Sequence, residues 1–151
     1  MYVFLCNLKP HSANKRYKEK YKENYKKELQ KAFYMYNDKA NPLEGNLYGV
    51  VYFFHNVKDK DMPEADNISK PLWDALNKIA YPDDKNIILR IAGVFDLNLE
   101  QIDIIDLSQM PDLILDDFSE MIEENGREQR IIYVEIGKLN YNLFKFGYET
   151  K

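Results

Sequence analysis

Acidic residues and a lysine stand close together in the segment PEADNISKPLWDAL and in the YPDD that follows it. Glu64 and Asp66 are separated by one residue, so in an extended segment their side chains point the same way. Lys70 follows Asp66 by four residues, about one helical turn. Asp83 and Asp84 stand at the far end of the same predicted helix, just before the next predicted strand. If the strands on either side of this helix pair, Asp84 can return beside Glu64 and Asp66.

These residue types suggest metal-dependent chemistry on a phosphate. Mg²⁺ and Mn²⁺ prefer hard oxygen ligands, so Glu64, Asp66, Asp83 and Asp84 are candidate metal ligands. Such an ion can activate water and stabilise the charge that builds on a phosphate, and Lys70 would neutralise phosphate charge or position the water. Phosphodiester hydrolysis needs this set of groups. The alternative is structural, because acidic pairs are common in a chain with 25 acidic residues. Asp66 would then only cap the helix, with Lys70 as a solvated neighbour, and Asp83 and Asp84 would only form a turn.

The net charge of −4 conceals two oppositely charged segments. Residues 1–41 carry ten Lys or Arg and four Asp or Glu, whereas residues 91–126 carry ten acidic residues and no basic one. The net charge therefore neither favours nor excludes a nucleic-acid partner, but the distribution leaves room for a basic face. The acidic segment, an insertion at about 96–126, has three possible roles: a solvated helical excursion, a subunit contact, or a mimic of nucleic acid that covers the basic face.

The length and the composition of the chain limit the classes of protein to which it can belong. A chain of 151 residues can bury a core of its own, and we expect a single domain over residues 1–151. Cys6 is the only cysteine, which excludes an intrachain disulfide and agrees with a reducing compartment. We expect no signal peptide and no membrane span, since no apolar run approaches the roughly 20 residues that a span needs. We therefore expect a cytoplasmic protein with no membrane partner.

The hydrophobic pattern predicts alternating strands and helices. Apolar, β-prone runs predict four strands, at residues 2–8, 47–57, 87–95 and 131–136. The second is apolar along most of its length and is expected to be central. Three- and four-residue spacings predict three helices, at residues 15–36, 66–80 and 111–125. Asp66 is expected to cap the second helix and Gly126 to end the third. The elements predict an α+β fold, a mixed sheet of about four strands with helices packed on it.

The first predicted helix is strongly basic. Between Lys15 and Lys31 the chain has eight basic residues and three acidic ones. Lysines interleaved with tyrosines could bind DNA phosphates with salt-sensitive affinity. The alternative is an amphipathic helix with solvated lysines, because the spacing puts most of the tyrosines on one buried face.

An ordered set of short motifs resembles the RusA-type Holliday junction resolvases. It reads Asp66-Asn67-Ile68-Ser69-Lys70, then Asp74-Ala75-Leu76, then Asp83-Asp84, where the family has D-x-D-N-x-x-K, D-A-L and a D-D pair. Near the N-terminus, Ser12-Ala13-Asn14-Lys15-Arg16 is similar to the family's S-x-N-(K/R) stretch after the first strand. The resemblance covers roughly residues 1–95 and the final strand.

The resemblance implies a RusA-like fold and a homodimeric endonuclease, dependent on Mg²⁺ or Mn²⁺, that nicks four-way DNA junctions symmetrically in recombination and repair. Asp66 and Asp84 match metal-binding aspartates, and Lys70 matches the catalytic lysine. The motif also has positions with supporting roles, and in this chain they are occupied by Asn67, Asp74 and Asp83. Many members are encoded by phages or prophages. Together with the basic helix, the N-terminal stretch supplies the DNA-binding candidates: Asn14, Lys15, Arg16, Lys18 and Lys22.

The chain departs from the family pattern at three points. Glu64 stands at the first motif aspartate; a glutamate can still bind metal, but its arm is longer by one methylene. The third strand reads Arg90-Ile91-Ala92-Gly93-Val94, without the lysine that the family tends to have, and Arg90 would substitute in part. The acidic segment is not typical of the family. Two alternatives therefore stay open: a non-catalytic RusA-like DNA- or protein-binding module, and a nuclease for flaps or other branched DNA.

Overall fold

The computed structural model describes residues 1–58, 60–99, 105–123 and 127–149. Seven main elements follow one another: β1 (Tyr2–Asn7), α1 (Glu19–Tyr36), β2 (Leu47–His55), α2 (Ala65–Ala75), β3 (Ile87–Asp96), α3 (Asp112–Glu123) and β4 (Arg130–Lys138). All four predicted strands and all three predicted helices are confirmed, with shifted ends. The expected helix stop at Gly126 lies outside the described residues. Of the described helices, none is long and apolar enough to cross a bilayer.

The four strands form one sheet in the order β1-β4-β2-β3. β4 pairs antiparallel with β1 and with β2, while β2 and β3 are parallel. The sheet is therefore mixed and the architecture is α+β, as predicted, with β2 in a central position. Because β2 and β3 are parallel, α2 is the crossover between them and must run back along the sheet.

Helices cover both faces of the sheet. On one face, α1 and α2 bury Phe33, Leu72 and Trp73 against strand residues such as Phe4. On the other face, Ile114 and Phe118 of α3 are fully buried in a second cluster with strand residues. One predicted role of the acidic segment is a solvated helical excursion. Its helix, α3, has an apolar side that packs on the sheet and covers this face.

Three predicted helix boundaries are wrong. α1 begins at Glu19 rather than Lys15, because the residues before it fold into a turn in which the Lys15 N–H donates to the Ser12 carbonyl. α2 has Glu64 rather than Asp66 at its N-cap position, so Asp66 lies in the first turn. It ends at Ala75 rather than near residue 80, and Lys78 follows in a left-handed conformation with a φ of 67°.

The approach of α2 to the sheet depends on Gly49. A Cβ atom at Gly49 would lie 2.8 Å from Cη2 and Cζ2 of Trp73 and 3.0 Å from Cγ2 of Ile87. Trp73 is fully buried, and its indole N–H donates to the Ser69 hydroxyl at 2.7 Å. The ring therefore has no free space into which it could withdraw.

We expect Gly49→Ala to destabilise the protein by about 1–3 kcal/mol, the usual cost of overpacking a core, as measured by urea unfolding. Trp73→Phe removes the ring atoms that the new methyl group would meet. In a double-mutant cycle, Gly49→Ala should therefore cost clearly less in the Trp73→Phe background. An equal cost in both backgrounds would contradict the proposed contact.

Candidate functional site

The outer side of α2 carries three charged residues of the predicted site. Asp66, Lys70 and Asp74 follow one another at four-residue spacing on one side of the helix, while Ile68 and Leu72 are buried on the other. The Lys70 ammonium lies 3.2 Å from both carboxylate oxygens of Asp74. The two side chains are 67% and 50% exposed. Because an exposed ion pair of this kind is weak, Lys70 can exchange Asp74 for another anion at little cost.

Asp84 is held by Arg90 at the start of β3. The Arg90 guanidinium donates from Nη2 to the Asp84 carbonyl at 2.8 Å and to its carboxylate at 3.3 Å, and from Nε to the Ile87 carbonyl at 3.2 Å. The neighbouring Asp83 caps this turn, since its side chain accepts from the Lys85 N–H at 3.0 Å. This backbone hydrogen bond lowers the pKa of Asp83. Arg90 thus fixes the position of Asp84.

Tyr81 connects Asp84 with the C-terminal part of α2. Its buried hydroxyl donates to the Trp73 carbonyl. Burial raises the pKa of Tyr81 strongly, the negative charges of Asp84 and Asp74 raise it further, and the positive charge of Arg90 opposes them. The charges of Asp74 and Asp84 therefore both act on this hydroxyl.

The structure does not bring all the predicted metal ligands together. Among residues 1–58, 60–99, 105–123 and 127–149, no group of three Asp, Glu, His or Cys side chains could hold a metal ion. Asp66 precedes Asp74 by eight residues, about 12 Å along the helix axis. Asp84 comes just before β3, which starts beside the first residue of β2, whereas Glu64 and Asp66 follow the other end of β2. In the described residues, Glu64, Asp66 and Asp84 therefore do not form a metal site with three protein ligands.

A cleft of about 450 Å³ lies between α2 and the segment that precedes and begins α1. We call it the basic cleft, because the lysines that line it (Lys15, Lys22, Lys26 and Lys70) outnumber its acidic residues (Glu19, Glu23 and Asp74). The structure thus brings two predicted DNA-binding residues, Lys15 and Lys22, to the same cleft as the predicted catalytic lysine. The other three candidates, Asn14, Arg16 and Lys18, are exposed beside it. Lys26 was missed, although it lies one helical turn after Lys22.

A backbone hydrogen bond joins the two walls of the basic cleft. The Ala13 N–H donates to the Asn67 carbonyl at 2.8 Å. Asn67 lies in the first turns of α2, three residues before Lys70. The loop that carries Lys15 is therefore attached to the helix that carries Lys70, and Asn67 has a supporting role through its backbone.

His11 lies between two tyrosine rings at the inner end of the basic cleft. Its ring is stacked on Tyr17 at 3.8 Å and 1° and on Tyr25 at 4.0 Å and 8°. We call these three rings the aromatic stack. The sequence offered little signal for it, since His11 is separated from Tyr25 by 13 residues and a change of element. Burial lowers the pKa of His11, so the imidazole is neutral at pH 7.

This lowered pKa predicts a pH-dependent stability. The unfolded chain binds the His11 proton more tightly than the folded one, so the contribution of His11 is complete above its unfolded pKa, about 6.5, and declines as the pH falls below it. His11→Phe keeps a flat ring in the stack but removes the titration. We expect this variant to lose less thermal stability between pH 7 and pH 5 than the wild type. Equal losses would contradict this role, because carboxylates elsewhere titrate in both proteins.

Comparison with known proteins identifies the family of this chain. A search of curated proteins found no significant match. The family model described as Endodeoxyribonuclease RusA matches residues 8–104 of the 151-residue chain. The matched region contains the basic cleft, the charged side of α2, Asp84 and Arg90, and confirms the family that the motifs resemble. The chain belongs to the RusA endodeoxyribonuclease family.

Proposed function

We propose that this protein is a divalent-metal-dependent endonuclease that cleaves branched DNA, and that its substrate is the Holliday junction formed in recombination and repair. The observation that carries the proposal is the position of Lys70, which lies both on the charged side of α2 and in the basic cleft. A phosphodiester bound there would be close to the carboxylates of the family motif. The reduced state expected of Cys6 fits activity in the cytoplasm.

Phosphate binding follows from the charges of the cleft. Each lysine that contacts a DNA phosphate releases condensed counterions, which favours binding in a salt-dependent way. Lys70 is held by Asp74 at 3.2 Å in the free protein, and a phosphate would compete with that carboxylate. In the free protein Asp74 would thus hold the Lys70 side chain in position until DNA binds. This is the supporting role that we propose for Asp74.

We propose Mg²⁺, or Mn²⁺, as the cofactor. The described carboxylates do not fit a preformed site with three protein ligands. Mg²⁺ commonly takes only one or two carboxylates and completes its shell with waters and substrate phosphates. Asp66, one helical turn before Lys70, would supply a ligand at the basic cleft, with Glu64 beside it. Asp84 and Asp83 also match the family motif, but they lie at the other end of α2. The ion would supply water activation and charge stabilisation, and in this chain Arg90 holds Asp84 in place.

A homodimer is part of the proposal. Symmetric nicking of a four-way junction needs two active sites related by a two-fold axis, and two-fold dimers are the commonest assembly. Sedimentation should show a species of twice the 18.0 kDa of one chain at micromolar concentration. A species of only one chain would remove paired nicking from the proposal.

The rival function is that of a non-catalytic RusA-like binding protein. One observation favours it, which is that no three potential metal ligands come together in the described part of the chain. A nuclease for flaps or other branched DNA is the second rival, since nothing about the cleft distinguishes the branch geometry.

Two substitutions separate these functions on synthetic four-way junctions, with flap and duplex DNA beside them. We expect wild-type cleavage in Mg²⁺ and none in EDTA. Asp66→Asn should lower the cleavage rate by about 100-fold or more, the effect of losing one charged catalytic group, while binding is retained. Lys70→Ala should slow cleavage and also weaken binding, with a salt slope shallower by about one.

Matched controls lie elsewhere in the chain. Asp112→Asn changes the same residue type in the first turn of α3, and Lys31→Ala removes an exposed lysine of α1 outside the basic cleft. Both should cleave like the wild type. If the wild type cuts no branched DNA in the presence of metal, and neither Asp66→Asn nor Lys70→Ala alters binding, the catalytic proposal is wrong.

A further inference from the structure

The aromatic stack leads from the core into the basic cleft. Tyr17 and Tyr25 both lie parallel to His11 at stacking distance, so they must occupy opposite faces of the imidazole. Tyr25 is 3% exposed, whereas Tyr17 is half-buried and lines the cleft. Tyr17 is therefore the outermost ring of a column whose inner end is anchored in the core.

The outer ring is held in place before any ligand binds. The Tyr17 hydroxyl accepts a hydrogen bond from the Ser12 N–H at 3.0 Å, and Ser12 is itself buried. Its neighbour Ala13 is bonded to α2 through Asn67. Because the ring is fixed by these contacts, a planar ligand could stack on it without the entropic cost of ordering a loop.

The charges around this ring suit a phosphodiester. The cleft that Tyr17 lines has four lysines and three acidic residues, and two of the lysines form exposed ion pairs, Lys22 with Glu19 at 3.6 Å and Lys70 with Asp74 at 3.2 Å. Such pairs are weak, so a phosphate can replace the carboxylates. The cleft volume of about 450 Å³ is that of a small-ligand site rather than a groove for a duplex. Lysines around an aromatic ring are the usual means of binding single-stranded nucleic acid, because the lysines take the phosphates and the ring takes a base. A base within a duplex has both faces occupied by its neighbours.

We propose that the basic cleft binds one unpaired DNA nucleotide, with its base stacked on Tyr17 and its phosphate on the lysines. This inference rests on the proposed function, because the unpaired nucleotide would come from base pairs that open at the branch point of the junction. Tyr17 would thus recognise unpaired DNA and place the strand beside Lys70.

The test measures binding without cleavage, by fluorescence anisotropy of a labelled thymidine oligomer and a matched duplex in EDTA. Tyr17→Leu removes the ring and should weaken binding of the single strand about tenfold, the loss of one stacking contact, with duplex binding unchanged. Tyr17→Phe keeps the ring and should bind within about threefold of the wild type. Tyr21→Leu removes an exposed tyrosine of α1 that does not line the cleft, and should bind normally.

Trp73 fluorescence would show whether Tyr17→Leu folds. If it does not fold, a second substitution at Tyr17 still tests the inference. Tyr17→Trp enlarges the stacking surface and should bind the single strand at least as tightly as the wild type. The inference is overturned if Tyr17→Leu, folded, binds the single strand like the wild type, if it loses single strand and duplex equally, or if Tyr17→Trp binds like the Leu variant. Junction cleavage by the wild type tests the proposed function separately, so either claim can fail alone.

Discussion

The close packing of α2 on the sheet is the contact on which the candidate site depends. Trp73 lies against Gly49 of β2, with no room for even one methyl group between them. The carbonyl of the same tryptophan accepts a hydrogen bond from Tyr81, whose pKa the charge of Asp84 raises. A shift of this helix would therefore move Lys70, Asp74 and the surroundings of Asp84 together.

The molecule separates its charges between the two sides of the sheet. α1 and α2 pack on one face, and α1 contains five lysines. α3 packs on the other face and contains five acidic residues and no basic one. A net charge of −4 therefore coexists with a face suited to DNA. The acidic helix would repel a phosphate backbone, which is consistent with the proposal that DNA binds at the basic cleft.

The sequence predicted the elements better than the site. Strands such as β2 and the buried side of α2 follow from hydrophobic periodicity, which is a local signal. The expected convergence of Glu64, Asp66 and Asp84 rested on the assumption that paired strands bring both ends of the intervening helix together. In a parallel pair the crossover helix runs the length of the strands and keeps its ends apart.

The aromatic stack and the start of α1 were beyond prediction for a related reason. His11 meets Tyr25 where the loop before α1 folds back onto that helix, and the same loop is bonded to α2 through Ala13 and Asn67. That contact joins residues far apart in the chain, and no local pattern records it. The lysines of the cleft were visible as a basic run, but their arrangement around Lys70 depends on the same tertiary contact.

The most direct test of this account is covalent footprinting of lysines, with mass spectrometry, on the free protein and on its complex with a four-way junction in EDTA. We expect the junction to protect Lys15, Lys22, Lys26 and Lys70 from acetylation, while the exposed Lys39 and Lys145 react as in the free protein. Equal reactivity of the cleft lysines with and without the junction would contradict the central claim that DNA binds beside Lys70 in the basic cleft.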